Sequence, residues 1–456
     1  SAIQIVGRDQ ERLAGEIRRI TDGAVGSPRE VAGLTRWLTG RGVPDVDGIA
    51  KADILDLLGR DGLPDDVRAA LLVRQESAKT STAKLTKMLD AAYHGRVANT
   101  MQYHGAGTGR WAGRRIQPHN MPRPRLKRHE IEEILSWLPS TPTEEAIAKI
   151  EVLYGQPMSV ISDCLRGMIC AAPGNELIAV DYANIEGRVI AWLAGEQWKL
   201  DAFVAADNKT GPGIYELAYA KSFHVPVNEV TKDQRQIGKV EELALGFGGG
   251  VGAFKTMARN YGVKMSDAEA DAVKEGWRAA HPNIVQYWWD VERASKEAVT
   301  NPGTQTSAGP ADRAVKFRVK GSFLFCLLPS GRMLTYPYPQ LKPRETPWGE
   351  LKDQIHYMNV DGTTGKWVET HTYGGKLSEN VTQAVARDVL AEAILRCEEW
   401  GFPVVLHVHD EVVVEMPERH AKIYEPVVFD KVKQSPSWCP GLPIAVEGWR
   451  GRIYRK

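Results

Sequence analysis

Two aspartates sit where strand-like runs break. Asp181 ends ELIAVD (176–181), and Asp410 lies in His409-Asp410-Glu411 between the Val-rich runs VVLHV and EVVVEM. An acid at the end of a strand projects from a rigid sheet, and carboxylate oxygens are preferred ligands of hard divalent cations. Two such cations, roughly 3.5–4 Å apart, clamp the attacking and leaving oxygens of a phosphoryl transfer. Taken singly, either acid is better explained as a turn residue or a helix N-cap. The runs around Asp410 are almost continuously apolar, which predicts strands buried on both faces, where a charged tripeptide needs a reason.

A second constellation runs through TKDQRQIGKVEELALGFGGG (231–250). Thr231 with Gln234 is a capping-box pattern and predicts a helix start. Arg235, Lys239, Leu243 and Phe247 follow at a spacing of four and share one helical stripe. The two cations lie near the N-terminus, where the helix dipole also favours anions. Such a stripe suits a polyphosphate at one end and a base or sugar against Leu243 and Phe247 at the other. An ordinary amphipathic helix with solvated cations has the same pattern. The glycines that follow permit a tight turn, and no GxxxxGK(S/T) phosphate loop is present.

These residues need elements to position them. Residues 1–100 read as helical, with apolar spacing through Ile17–Ile20, Val31–Leu38 and Ile54–Leu58 and loops at 21–26 and 40–47. A helix is predicted over 74–92, with Leu85, Met88 and Leu89 on one face and Lys79, Lys84 and Lys87 carrying charge. Thr108–Arg128 holds seven basic residues, no acidic one and three prolines, and so reads as an irregular basic loop. Helices are expected at 130–138 and 143–153, a strand at 176–181, a helix at 185–193 and mostly helix through 201–300. A hairpin is expected around Pro329-Ser330-Gly331 and a long helix at 379–400, before the two Val-rich runs. Asp45-Val46-Asp47 reads as a turn.

Composition excludes several classes. The chain has 58 Lys+Arg against 57 Asp+Glu, so net charge selects no partner. No apolar run approaches the roughly 18 residues of a membrane span, and the N-terminus lacks the pattern of a signal peptide. The five cysteines include no CxxC pair. Each is expected to be a small buried apolar residue in a reducing, cytoplasmic compartment.

Four segments together resemble the family-A DNA polymerases. VDYANIEGRVIAWLAGE resembles the first palm motif, DYSQIELR; RQIGKVEELALGFGG resembles the fingers helix, RxxxKxxx(F/Y)xxxYG. HVHDEVVV resembles the second palm motif, VHDE, and TGRWAGRRIQPHNMPRP resembles the upstream TGRLSSxxPNLQNIP. All four occur in the family's order, over roughly residues 70–456. ALGFGGGVGAF, LPSGR and YGGKLSENVTQAVARDVL are similar to bacteriophage members.

The resemblance implies an α+β right-hand fold: a helical thumb region over 1–100, palm at 101–200 and 316–456 with an antiparallel sheet, and helical fingers at 201–315. It implies that Asp181 and Asp410 hold two Mg²⁺ ions, which Mn²⁺ can replace, with the Tyr182 carbonyl a further ligand and Glu411 secondary. Glu186 matches the residue that crowds the sugar 2′ position. Arg235 and Lys239 match the triphosphate-binding pair, Lys239 also as general acid, and His409 matches the histidine near the primer terminus. Arg110, Asn120 and Gln383 match residues that track the duplex, while Lys79, Lys84 and Lys87 resemble a thumb's grip on its backbone. Leu243 replaces a Phe or Tyr, Phe247 a Tyr and Gly187 a Leu. Pro118-His119-Asn120 replaces LQN, and Glu379 stands where bacterial members tend to have Asn.

The implied activity is template-directed addition of dNTPs to a primer, in phage or prophage replication or repair, by a monomer. Its partners are primer–template DNA and dNTPs, with a separate exonuclease, helicase or processivity factor alongside and no membrane. Residues 1–70 are too few for the family's 3′–5′ exonuclease domain, so the sequence reads as an exonuclease-free polymerase or a piece cut just before the thumb. A single-subunit RNA polymerase shares the chemistry, but Glu186 argues against it. A catalytically dead scaffold is opposed by the intact Asp181, Asp410, Arg235 and Lys239. A generic metal nuclease leaves the Arg235–Phe247 stripe unexplained.

Overall fold

The computed structural model describes residues 1–46, 48–345 and 349–455. Asp47, and with it part of the Asp45-Val46-Asp47 turn, lies outside them. The chain forms two compact units: residues 1–102, 113–177 and 451 onward, and residues 103–112 with 178–450.

The first unit is helical: α1 (Ala2–Ile20), α2 (Val31–Gly40), α3 (Lys51–Leu58), α4 (Asp65–Ser77) and α5 (Lys84–Ala91), then α6 (Arg128–Trp137), α7 (Thr143–Leu153) and α8 (Pro157–Cys164). Two-residue strands lie between α5 and α6: β1 (Ala92–Tyr93), β2 (Arg96–Val97), β3 (Met101–Gln102) and β4 (Ala112–Gly113). Amphipathic α1 serves two apolar clusters, with Leu13 and Ile17 in one and Ile5 and Val6 in the other. Two carboxylates cap the start of α8. Met158 N donates to Asp9 (3.1 Å) and Ser159 N to Glu76 (2.8 Å), matching negative charge to the positive helix end.

The helix expected over 74–92 is broken. Lys79 leaves helical geometry (ψ 69°), and a 3₁₀ turn, Thr80–Ala83, separates α4 from α5. Ser77 and Thr82 hydroxyls donate to the Arg74 and Lys79 carbonyls, competing with the helical ladder. Leu85 is buried, but Leu89 is 67% exposed, so the expected three-residue apolar face shrinks to Leu85 and the partly buried Met88.

The second unit opens with β5 (Asn175–Tyr182) and α9 (Ile185–Ala194). It continues through helices α10 (Gln197–Asp207), α11 (Ile214–Phe223), α12 (Lys232–Leu245), α13 (Val251–Asn260), α14 (Asp267–Ala280) and α15 (Pro282–Thr300). Next come β6 (Thr306–Ala308), β7 (Val315–Lys320), β8 (Phe323–Leu327) and β9 (Met333–Pro337), then β10 (Gln340–Glu345), β11 (Leu351–Val360) and β12 (Trp367–Thr372). The unit closes with α16 (Gly374–Glu399), β13 (Val404–Val408), β14 (Glu411–Pro417), α17 (Glu418–Lys433) and β15 (Val446–Gly451).

Three sheets result, in the orders β13-β14-β5-β15, β6-β7-β8-β9 and β10-β11-β12. β7 alternates strictly, turning Val315, Phe317 and Val319 inward. β14 is buried from Glu411 to Met416, as its apolar run predicts. β13 departs from that expectation: it is an edge strand, and Val404 and Val405 are not buried. Cys170 is also a correction, since it is exposed while the other four cysteines are buried.

Three close backbone approaches set how helices of the second unit pack. A Cβ on Gly238 would lie 2.1 Å from the Tyr215 carbonyl oxygen, so α12 rests directly on α11. At the start of α16, a Cβ on Gly374 would meet the Trp288 carbonyl at 2.2 Å and one on Gly375 the Phe247 carbonyl at 2.3 Å. The glycine pair therefore lets α16 abut both α15 and the end of α12. Gly238→Ala is expected to push α12 off α11 and cost about 1–3 kcal/mol in urea unfolding; unchanged stability would contradict this packing.

Candidate functional site

Asp181 and Asp410 come together through the backbone. β13 and β14 form a hairpin in which Val408 pairs with Glu411, leaving His409 and Asp410 as its two-residue turn. His409 takes the left-handed conformation (φ 56°) that such turns require. β14 lies beside β5, and Tyr182 N donates to the Asp410 carbonyl at 3.1 Å. The tip of the hairpin is thereby tied to the residue after Asp181. Tyr182 is itself anchored, its hydroxyl donating to the Val432 carbonyl at 2.9 Å. Both aspartates are half-buried and Glu411 is buried. The donors are carboxylate and carbonyl oxygens, which suits a hard cation such as Mg²⁺. Among the described residues, no group of three or more His, Cys, Asp or Glu is placed to hold a metal ion.

Glu186 lies in the first turn of α9, after Asn184 in the left-handed region (φ 52°). It forms an ion pair with Arg110, both side chains about one-third exposed. The segment carrying Arg110 is gripped from two sides: Arg332 Nη2 donates to the Thr108 carbonyl and Arg387 Nε to the Gly109 carbonyl, both at 3.0 Å.

The capping box of α12 forms as expected, with Thr231 N donating to Gln234 (2.8 Å) and Gln234 N to Thr231 (3.3 Å). Arg235 donates to Glu216 at 2.7 Å and lies 5.2 Å from the Tyr215 ring centre. Lys239 Nζ lies 5.2 Å from that of Tyr261. Leu243 is 43% exposed, and Phe247 stands just beyond the helix, half-buried. Two acids of α12 have buried side chains, Glu241 on the face opposite the stripe and Glu242 on its flank. Glu241 bonds to the Ser222 hydroxyl (2.7 Å). Glu242 pairs with Lys199, accepts from Trp277 Nε1 (3.1 Å) and lies 3.3 Å from His281 Nε2. Burial, reinforced by the charge of Glu242, pushes the Glu241 carboxyl up to about 8. Burial also opposes ionisation of Glu242, but Lys199 and His281 outweigh it and hold that carboxyl at about 2.

Gln383 donates to Glu379 at 3.0 Å within α16. The other candidates belong to the first unit. Asn120 is exposed and donates to Gln117 at 3.3 Å. Lys87 is exposed and Lys79 half-buried. Lys84 turns inward, donating to the carbonyls of Ile116 (2.9 Å) and Gln117 (3.3 Å), so it ties α5 to the basic loop. The buried acids of α12 and the arginines at 332 and 387 were not foreseen. Glu241, on the apolar side of an amphipathic helix, was the available signal for the first; the arginines lie inside the phage-like strings LPSGR and YGGKLSENVTQAVARDVL, which gave them no role.

The family model described as DNA polymerase family A matches residues 51–309. The DNA polymerase of Bacillus phage SP02 is 37% identical over 456 residues, covering 98% of this chain and 66% of that protein. DNA polymerase I of Pseudomonas aeruginosa is 26% identical over 260 residues, covering 56% of this chain and 22% of that protein. The chain thus spans just under two thirds of the phage relative and about a fifth of the bacterial one. Among solved structures, the POL domain of Pol1 from M. smegmatis, in complex with DNA primer-template and dNTP, shares the fold at TM-score 0.62 and 17% identity, covering 99% of this chain and 66% of that one.

The two acids of α12 make opposite demands on pH. An unfolded glutamate ionises near 4.5, while folded Glu241 keeps its proton up to about 8. Between these values unfolding releases a proton, so this residue lowers stability as pH rises from about 4.5 to about 8. The contribution of Glu242 is present above about 4.5 and is lost as pH falls toward 2. Glu241→Gln is expected to flatten the decline between pH 5 and 8 and to add on the order of 2 kcal/mol at pH 8. Urea unfolding at three pH values reads this; a decline like the parent's would contradict it.

Proposed function

The chain belongs to DNA polymerase family A, and from that premise we propose that it extends a primer by adding dNTPs against a DNA template. The observation that supports the reading is the backbone tie between Tyr182 and Asp410, which holds the hairpin tip against the residue after Asp181. In this reading the helical N-terminal region (1–100) is the thumb, 201–315 the fingers, and 101–200 with 316–456 the palm.

Asp181 and Asp410, with the Tyr182 carbonyl and Glu411 beside them, would hold two Mg²⁺ ions, which when bound lower the pKa of the primer 3′-hydroxyl and neutralise the departing pyrophosphate. The chain's own residues do the rest. Arg235 exchanges Glu216 for triphosphate oxygens, and Lys239 adds a second cation and gives a proton from Nζ to the leaving pyrophosphate. Leu243 and Phe247 offer an apolar surface to the base and sugar. Glu186 crowds a ribose 2′-hydroxyl, which favours deoxyribonucleotides and disfavours the RNA-polymerase alternative. His409 faces the primer terminus, and Arg110, Asn120 and Gln383 follow the duplex. Lys79 and Lys87 contact phosphates, so DNA affinity falls with salt. Lys84 holds structure instead. Among the described residues no helix is long and apolar enough to cross a membrane; the proposed setting is the cytoplasm of a bacterial or phage-infected cell.

Extension of a labelled primer–template with Mg²⁺ tests the reading. The parent is expected to extend with dNTPs and poorly with rNTPs, and Asp410→Ala to lose at least about 100- to 1000-fold in rate. DNA binding without extension by the parent would favour a scaffold; equal use of rNTPs would favour the RNA-polymerase alternative. Lys239→Ala is expected to lower kcat about 100-fold and to raise KM for dNTP, having lost both a proton donor and a phosphate contact. Parent-like kinetics would remove Lys239 from the site. Leu243→Tyr, which places a hydroxyl beside the sugar, is expected to raise use of ddNTPs relative to dNTPs; an unchanged ratio would contradict the contact.

A further inference from the structure

The residues on either side of Arg110 in the chain touch one and the same side chain. Arg387, on α16, donates from Nε to the Gly109 carbonyl at 3.0 Å. Its guanidinium carbon lies 4.3 Å from the Trp111 ring centre and 5.3 Å from that of Tyr103. The two rings meet edge to face at 5.8 Å, so they form a corner around the cation. Trp111 meets His407 of β13 edge to face at 4.6 Å, two residues before the turn that carries Asp410. Burial, and then the charge of Arg387, push His407 down to about 4, so that the ring is neutral at pH 7. The segment from Tyr103 to Trp111 is therefore clamped between α16 and β13.

We propose that Arg387 is a positioning residue for Arg110: by gripping Gly109 and Trp111 together it fixes the direction in which Arg110 reaches Glu186. The inference rests on the polymerase reading and gives a role to an arginine that the phage-like string YGGKLSENVTQAVARDVL contains without assigning one. Packing alone does not account for an arginine here. Its side chain is 8% exposed, and its charged partner Asp388 (3.2 Å) is already satisfied by Arg332 (2.7 Å) and Ser330 (2.5 Å). A buried cation carries a desolvation cost that an apolar residue of similar length avoids. What an apolar residue cannot supply is a donor to the Gly109 carbonyl and a planar cation against two rings. Gly109, at φ 85°, is the most permissive backbone position of the segment, so the bond from Arg387 to its carbonyl is where the direction of Arg110 is fixed.

The test is a double-mutant cycle in single-turnover primer extension by the full chain, with thermal unfolding recorded for each variant. Arg387→Met is expected to unfold near the parent's temperature and to slow extension about 10- to 100-fold, the scale of a misplaced contacting group. Arg387→Lys, which keeps charge but not the planar fork, should recover part of the loss. Combined with Arg110→Ala, Arg387→Met should add less than about 2-fold, because its effect passes through Arg110. Losses that multiply, or a parent-like rate for Arg387→Met, overturn the proposal. Should Arg387→Met fail to fold, Trp111→Leu takes its place with the same expectations. A parent that does not extend primers would overturn the polymerase reading itself, an outcome distinct from multiplying losses.

Discussion

One backbone hydrogen bond, from Tyr182 to the carbonyl of Asp410, sets the geometry on which the candidate site depends. Side chains alternate along a strand, so a one-residue slip of β14 against β5 would turn Asp181 and the hairpin tip away from each other. The register is held by burial. Every residue of β14 from Glu411 to Met416 is inside, as are Leu177 to Val180 of β5, and a slip would exchange side chains between two packed faces and force both to repack. His409 accepts a left-handed conformation at the tip, a strain of roughly 1–3 kcal/mol that the surrounding sheet over-determines.

Around that fixed point the chain brings in groups from distant stretches of sequence by close contact. Gly375 lets the start of α16 press on the carbonyl of Phe247, which couples the end of α12 to the helix carrying Gln383 and Arg387. Gly238 lets α12 rest on α11. On its outer face α12 carries Arg235, Lys239 and Leu243; on its inner face Glu241 stays protonated against Ser222, and on the flank between them Glu242 is ionised against Lys199. A helix anchored by buried polar pairs keeps a fixed rotation, because turning it would leave a charge desolvated and unpaired. That rotation is what presents the Arg235–Leu243 stripe outward.

What was legible in the sequence was what local rules determine. The capping box at Thr231, the helix at 143–153, the hairpin around Ser330 and the break at Asp410 each follow from residues within a few positions of one another. The family resemblance rests on such local strings and drew in Asp181, Glu186 and Arg110. Partners far along the chain stayed hidden. Lys84 looked like a solvated cation but bonds to carbonyls 32 and 33 residues away. Arg387 meets Gly109 across 278 residues. The edge position of β13 and the exposure of Leu89 and Cys170 depend on what packs beside them, which periodicity does not encode.

The central claim is that Asp181 and Asp410 form one cation site. Its most direct test is Mn²⁺ titration of the chain holding primer–template and dNTP, with free ion read by electron paramagnetic resonance against a blank of DNA and nucleotide alone. The parent should bind two ions per chain, and Asp181→Asn and Asp410→Asn should each lose at least one. Binding in both variants that matches the parent would contradict a shared site and, with it, the role assigned to the β5–β14 register.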